Sequence, residues 1–488
     1  MLLSIFILFG TVYFNGCEFS RLFFFFPETK KMKSYEKIPT TEDDQKPLKV
    51  KVYKKRWLIL LIFAINSLAN AVLFVSITSI NNIACRYYNI SPALTDWAGN
   101  GFNIVYVFIA LPSAYFMDSF GVRTLVILGS SLNAIGVCLH LAGTPREHGI
   151  VYVLSGQLMA GLSMGAILQV PARLATVWFP EHEQAKALSL AFVFNVSGLA
   201  IGFLQPSYMV PDSENMDEIY DGLLRMNISH VVLLAVCLIS AYLFFDEKPP
   251  LPPSYAKAVL DSSSVDEHGE TPGFKLSLKL LFTDRNFMLL ALVYGLQSGL
   301  YSMFVTCLNE MANTIVSSSQ IGWIGFLGNL VSIVGLMLLA SIADKYKCYK
   351  KITTRLFFVQ ILCWIAFSST ILYWKTATSL FVTYSFLCFF NTSFNAVGLS
   401  FATEVSYPVT EGMSTAIVLM ITNTLGFINI LIFGRLVDDG YVFLMCSIVT
   451  GMYVVAFILT FFVNEDLKRS KLEGQHNVKP LPQVSKEA

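Results

Sequence analysis

A chain of 488 residues that is 55% hydrophobic and only 14% charged, with a mean hydropathy of +0.59, lies outside the balance of a soluble globular protein and places most of its length in lipid. Its formal net charge of +1 excludes bulk attraction to nucleic acid, so the charges matter by position. The nine cysteines are scattered without a C-x-x-C pair, a pattern of small packing residues rather than of metal ligands.

Residues 1–31 open with M-L-L-S-I-F-I-L-F-G and lack a basic leading region, whereas Met32 begins an ordinary polar tail. The opening segment is therefore either an over-extended start or cleaved leader, absent from the mature protein, or an interfacial segment. Residues 1–56 form this segment and an N-terminal tail. Apolar stretches long enough to cross a bilayer as helices, about 20 residues each, then follow at 57–84, 95–117, 124–143, 149–172, 187–209, 230–245, 286–308, 321–342, 353–374, 379–403, 413–436 and 441–463. Barrel strands would instead show short alternating segments. The expected organisation is an all-α polytopic protein with a six-helix bundle over 57–245, a linker over 246–285 opening with E-K-P-P-L-P-P-S, a second six-helix bundle over 286–463, and a tail over 464–488.

Lys46, Lys49, Lys51, Lys54, Lys55 and Arg56 precede the first span, Lys345, Lys347, Lys350 and Lys351 follow the eighth, and Lys468, Arg469 and Lys471 follow the last. The positive-inside rule then puts both termini in the cytoplasm of a multi-pass protein, with the plasma membrane as the expected residence. Sequons at Asn89 and Asn227 fall in loops that this topology places outside and are expected to carry glycans, whereas those at Asn195 and Asn391 lie inside spans.

Two motifs recur at nearly one spacing. Asp118 in A-Y-F-M-D-S-F-G-V-R and Asp344 in A-S-I-A-D-K-Y-K are 226 residues apart (344 − 118), and Pro180/Glu183 and Pro408/Glu411 are 228 apart (408 − 180). An internal duplication of membrane-embedded halves with matching charged loops is the sequence pattern of an alternating-access transporter. Asp118 with Arg123, Arg173 and Glu183, and Asp344 with Lys345, Glu404 and Glu411, form candidate charge networks at the helix ends. Such carboxylates pair with Arg or with exposed helix N-termini, and can lock helices in one conformation and release them in another. Fixed helix-end ion pairs are the structural alternative.

D-S-F-G-V-R resembles, in reduced form, the loop motif of the major facilitator superfamily. N-A-V-L-F in the first span, S-G-Q in the fourth, P-A-R-L-A-T-V-W-F-P at 171–180, E-K-P-P-L-P-P-S, and F-A-T-E-V-S-Y-P-V-T-E-G at 401–412 together resemble the feline leukaemia virus subgroup C receptor (FLVCR) family, linked to choline, ethanolamine and haem transport. The resemblance runs from about residue 50 to 470 and implies the major facilitator fold, with twelve transmembrane helices in two pseudo-symmetric bundles around a central cavity.

Polar residues in mid-span face a neighbouring helix or that cavity. The candidates are Asn66, Asn70, Asn100, Asn103, Gln157, Gln169, Asn195, Gln297 and Asn423, of which Asn70, Asn195, Gln297 and Asn423 are read as substrate-binding, and Asn195 and Asn423 share the 228-residue offset (423 − 195). Phe74 and Tyr301, 227 apart (301 − 74), fall at similar depth in the first spans of the two halves. Facing rings are what a quaternary ammonium needs, because it has no N–H to donate. The resemblance implies a choline cage built from a Trp on the first span and a Tyr on the seventh. Phe74 stands where that Trp would be, Tyr301 falls at or one residue before the Tyr, and Val196 stands where choline carriers have Gln.

No Asp, Glu or His occupies the middle of the first, fifth, seventh or eleventh span. His140 lies near one end of the third and His230 opens the sixth as bounded above. Facilitated transport of a choline- or ethanolamine-like amine is the favoured function. The alternatives are haem transport, for which no central His ligand is evident, and a receptor or sensor that keeps the fold without flux. No enzyme motif occurs at a consistent depth. The expected partners are a small-molecule substrate and the lipid bilayer, with the chain acting as a monomer and without nucleic acid, cofactor or metal.

Overall fold

The computed structural model describes residues 50–253, 274–346, 348–407 and 409–468, with the backbone alone for Asp118, Glu181, His182, Ala185, Ala340 and Asp344. The first half holds α1 (Lys55–Ser76), α2 (Asn81–Tyr88), α3 (Pro92–Ala142), α4 (Gly149–Trp178), α5 (Glu181–Met209) and α6 (Met216–Phe244). Within the 246–285 stretch lies a short helix, α7 (Phe274–Thr283), and it is followed by α8 (Arg285–Thr306), α9 (Leu308–Ala312), α10 (Ser318–Tyr346), α11 (Tyr349–Ser369), α12 (Ala377–Ser406), α13 (Glu411–Asp438) and α14 (Val442–Phe462). Among the described residues twelve helical segments are long and apolar enough to cross a membrane, α3 supplying two, Pro92–Met117 and Ser119–Ala142. With an even number of spans, residues 50 and 468 lie on one face of the bundle, called here the terminal face.

The spans agree with the hydropathy reading except in the sixth, which begins at Met216 rather than at 230. Asn215 caps it by accepting the Asp217 N–H at 3.1 Å, and Asp217 and Glu218 sit in its first turn, where carboxylates favour a helix N-terminus. The polar residues that suppress hydropathy there are thus a helix start. The sequon at Asn227 falls within this helix. Its side chain is buried and donates to the His140 carbonyl at 3.2 Å and Thr144 Oγ1 at 3.0 Å, so the expectation of a glycan on Asn227 is corrected. His230, likewise, does not open the span but lies well inside it, with Nε2 3.1 Å from Gln205 Oε1. Asn89, the other sequon, is exposed and ends α2 in the left-handed conformation.

The second and third spans join at Gly121, whose φ of 84° and ψ of 171° only glycine adopts readily. The bend frees the N-terminus of the third span, and Glu247 caps it from beyond the sixth. Its carboxylate accepts the Val122 N–H at 2.9 Å and the Arg123 N–H at 2.7 Å, bonds strengthened by the charge and by the helix dipole.

Helices in lipid gain little from apolar burial against one another and instead associate where small residues let backbones approach. The first span packs on the fifth, and the seventh on the eleventh. A Cβ on Gly198 would lie 2.3 Å from the Leu68 carbonyl oxygen, and one on Gly299 would lie 2.9 Å from the Gly426 nitrogen. Gly198 and Gly426 are again 228 apart (426 − 198), so the duplication places a glycine at the same contact in each half. Across the halves, the fifth span packs on the eighth and the second on the eleventh.

Candidate functional site

The mid-depth amides are mostly engaged within their own halves. Asn70 Nδ2 donates to Asn133 Oδ1 at 2.9 Å and to the Ala160 carbonyl at 3.0 Å, tying the first span to the third and fourth. Gln297 Nε2 donates to Asn391 Oδ1 at 2.5 Å, and the Tyr301 hydroxyl to Asn329 Oδ1 at 3.3 Å. Asn423 Nδ2 turns back onto the Leu419 carbonyl of its own helix at 2.7 Å. Asn195, half-buried, donates to Ser67 Oγ at 3.0 Å. Phe74, also half-buried, meets Phe102 edge-on, with ring centroids 5.2 Å apart. Among the described residues no ring contact joins Phe74 to Tyr301.

One polar contact at this depth does cross between the halves, and it joins residues of the mid-span polar set and the seventh-span aromatic register. Ser302 Oγ, one residue past Tyr301, donates to Asn103 Oδ1 on the second span at 3.3 Å, while Asn103 Nδ2 is buried without a partner. One turn away Asn100 Nδ2 donates to the Phe427 carbonyl on the eleventh span at 3.2 Å. A polar seam therefore runs between the second, seventh and eleventh spans. Its sequence signal was the pair Asn100 and Asn103, three residues apart on one helix face.

Away from the terminal face the halves are bonded more tightly. Asn81 Nδ2 donates to Glu310 Oε1 at 2.5 Å, Asn309 Nδ2 to the Ser79 carbonyl at 2.8 Å, and Asn82 Nδ2 to Ser318 Oγ at 2.8 Å. Ser318 in turn donates to Asp212 Oδ2 at 3.0 Å, whose other oxygen holds Arg86 at 2.5 Å. Asp96, at the start of the second span, lies against Glu310 and Cys307. Burial, then the adjacent Asp96 carboxyl, pushes Glu310 well above the usual carboxylate range. Two carboxyls in contact away from water do not both ionise, so the pair carries a proton when no cation lies between them.

At the terminal face the described ionic contacts stay inside each half. Arg56 pairs with Glu183 at 3.0 Å, its guanidinium 5.5 Å from the centroid of the Trp57 ring and 5.8 Å from that of Phe179. Lys55 pairs with Asp246, and Arg123 donates to the Tyr242 carbonyl at 3.2 Å. In the second half Lys468 meets Asp284 at 3.0 Å, and Lys350 Nζ donates to the Phe461 carbonyl at 3.1 Å. Arg173 is exposed, Glu404 is buried, Glu411 is half-buried, and the Lys345 ammonium sits 5.5 Å from the Tyr346 ring centroid. Glu404 and Glu411 both have partners. The side chains of Asp118 and Asp344 lie outside the described residues. Arg56 is thus a cation on Glu183, and Glu247 is the carboxylate at the head of the third span. Both lie outside the duplicated motif that drew attention to these loops.

A model of the Major Facilitator Superfamily matches residues 59–402. The choline/ethanolamine transporter FLVCR2 of Rattus norvegicus is 31% identical over 437 residues, covering 86% of this chain and 77% of that protein. The human FLVCR2 choline/ethanolamine transporter is 30% identical, covering 86% and 80%. Among solved structures, a D-xylose-proton symporter superposes with a TM-score of 0.67 at 15% identity, covering 85% of this chain and 99% of that one. The xylose transporter XylE from E. coli, in a partially occluded inward-open conformation, gives 0.65 at 13% identity with the same coverage.

Proposed function

The chain belongs to the Major Facilitator Superfamily, in the FLVCR group, and from that premise we propose that it carries choline, ethanolamine or a closely related amine through the plasma membrane down its gradient, with both termini in the cytoplasm. The observation that carries the substrate is the similarity, over 86% of the chain, to proteins named as choline/ethanolamine transporters. The chemistry of the seam is compatible with it. Phe74, half-buried and edge-on to the buried Phe102, offers a ring on the first half. Asn103 presents an unpartnered amide, and Asn195 is half-buried on the fifth span. A trimethylammonium group is held by ring faces, and the hydroxyl of choline or ethanolamine needs an amide or hydroxyl partner, which Asn103 and Ser302 supply. Tyr301, Asn423, Asn70 and Gln297 set the helix positions around this space in their present bonding, and Tyr301 or Asn423 joins the substrate on rotation of a side chain.

With the terminal face cytoplasmic, the tight inter-half bonds lie on the outside, and this conformation is closed to the exterior. Outward opening then requires the bonds around Glu310, Asn309 and Ser318 to break, while the charge pairs within each half travel with it as rigid units. The charge networks around Asp118 and Asp344 would serve the opposite step, closing the cytoplasmic end.

Uptake of labelled choline and ethanolamine by cells expressing the chain tests the proposal, at equal surface expression of wild type, Phe74→Ala and Phe74→Trp. Saturable uptake is expected, lost in Phe74→Ala. In Phe74→Trp the KM for choline should fall about 2- to 5-fold, corresponding to about 0.5–1 kcal/mol of added cation–π attraction. No uptake of either amine by protein at the surface would end the amine assignment and bring haem forward.

A further inference from the structure

The contact between Asp96, Cys307 and Glu310 joins the two halves. Asp96 comes from the second span of the first half, whereas Cys307 and Glu310 follow the seventh span in the second half. One donor atom from each lies within 4.8 Å of the others, close to the spread of three ligands held 2.0–2.3 Å from a single zinc ion. All three side chains are more than nine-tenths buried. Apart from the proton the two carboxyls share, Asp96 Oδ1 and Glu310 Oε2 accept from no other donor, although Asn81 satisfies the other Glu310 oxygen.

A separate element packs closely against them and admits no side chain larger than glycine's. Gly434 on the eleventh span lies so close that a Cβ there would sit 2.6 Å from Asp96 Oδ2 and 4.0 Å from Cys307 Sγ. Any side chain at this position would fill the space the carboxylate and thiol share. Asp438 also exerts charge on the cluster and is acidic, and among the described residues no Lys, Arg or His acts on it. Buried carboxylates without a basic partner are stabilised by a metal ion, and a thiolate within the donor set selects a borderline-soft cation over Mg²⁺ or Ca²⁺.

We propose that Asp96, Cys307 and Glu310 form an inter-half binding site for a Zn²⁺-class divalent cation, which clamps the gate away from the terminal face. On binding, the Cys307 thiol proton and the shared carboxyl proton pass to water, coordinated waters leave the hydrated ion as one Zn–S bond and two Zn–O bonds form, and one water keeps the fourth position. Because its ligands come from both halves, the bound ion opposes their separation. Zinc on that side of the membrane therefore acts as an inhibitor. Binding does not depend on the substrate assignment, but inhibition rests on the transport function proposed above.

The test uses the purified full chain in nanodiscs, titrated with Zn²⁺ alone by calorimetry and with Co²⁺ by absorption. Expected are one Zn²⁺ per chain at micromolar or lower Kd, and a thiolate-to-Co²⁺ charge-transfer band in the near ultraviolet. Cys307→Ser should abolish the band and weaken Zn²⁺ binding at least 10-fold. Glu310→Gln and Asp96→Asn should each weaken binding at least 10-fold, and Mg²⁺ and Ca²⁺ should not compete. Failure of folded wild-type protein to bind one equivalent below 100 µM overturns the site, as does binding unaltered in folded Cys307→Ser and Glu310→Gln. In that case the cluster binds protons only. Zinc binding without inhibition of amine uptake would refute the clamp while leaving the site intact, and absence of amine uptake would bear on the substrate alone.

Discussion

Alanine at Gly198 and at Gly426 is the same substitution at duplicated positions, yet the two contacts differ. A Cβ on Gly198 would lie 2.3 Å from the Leu68 carbonyl oxygen and 2.9 Å from its carbonyl carbon. Both are backbone atoms of a packed helix and cannot rotate away. Ordinary contact requires the first and fifth spans to separate by roughly 0.7–1 Å, an overpacking that costs about 1–3 kcal/mol. On Gly426 the nearest atoms are Ser302 Cβ at 3.3 Å and Ser302 Oγ at 3.4 Å, and a rotamer change or slight shift relieves the contact. Gly198→Ala should lower the midpoint of thermal unfolding by about 2–6 °C, and Gly426→Ala by less than about 1 °C, both read by fluorescence-detected gel filtration of the detergent-solubilised protein. Equal shifts, or a larger one at Gly426, would refute the argument that backbone approach at the first–fifth contact fixes this half. Gly426→Ala should instead act on uptake, since its methyl group would lie 3.6 Å from Asn103 Oδ1 at the seam.

Asp284 caps the seventh span by accepting the Asn286 and Phe287 N–H groups and pairs with Lys468. Burial alone would raise its pKa, but the bonds from Lys468 and the two backbone N–H groups outweigh it and leave the carboxyl below its ordinary 3.8. A depressed folded-state value means that its stabilisation is fully present above the ordinary pKa and is lost as pH falls through the folded one. Asp284→Asn should therefore lower the unfolding temperature at pH 7, and its deficit against wild type should narrow below pH 4; a deficit independent of pH would contradict this. For the sequons, Asn89→Gln should remove a glycosidase-sensitive shift in electrophoretic mobility, whereas Asn227→Gln should leave mobility unchanged and lower stability through its loss of fit to His140 and Thr144. A shift lost only in Asn227→Gln would refute the present course of the sixth span.

Much of this architecture was legible because lipid imposes a single demand, about 20 apolar residues in a row, and the duplication repeats it with Asn195 and Asn423, or Gly198 and Gly426, in step. The sixth span was read short because Asp217, Glu218, Asp221 and Arg225 interrupt the apolar run, although they lie within the helix. The site was harder to see. Asn70, Gln297 and Tyr301 are buried and bonded to neighbouring helices, and hydropathy cannot tell an amide facing a solute from one bonded to the next helix. Asp96 and Glu310 sit near the ends of spans, where a carboxylate raises no alarm, and only the closing of the two halves brings them together. Arg56 and Glu247 escaped notice because each works across a fold contact rather than within a motif.

The capping carboxylate of Glu247 and the bond from the Lys51 N–H to the Pro252 carbonyl at 3.1 Å fasten the first stretch of chain after the sixth helix to the half it leaves. The fastenings of this stretch thus reach Pro252, well past the end of the sixth helix. An insertion after Pro253 leaves both of them in place, whereas a single residue inserted between Phe245 and Glu247 would pull the carboxylate off the head of the third helix and loosen the bundle itself.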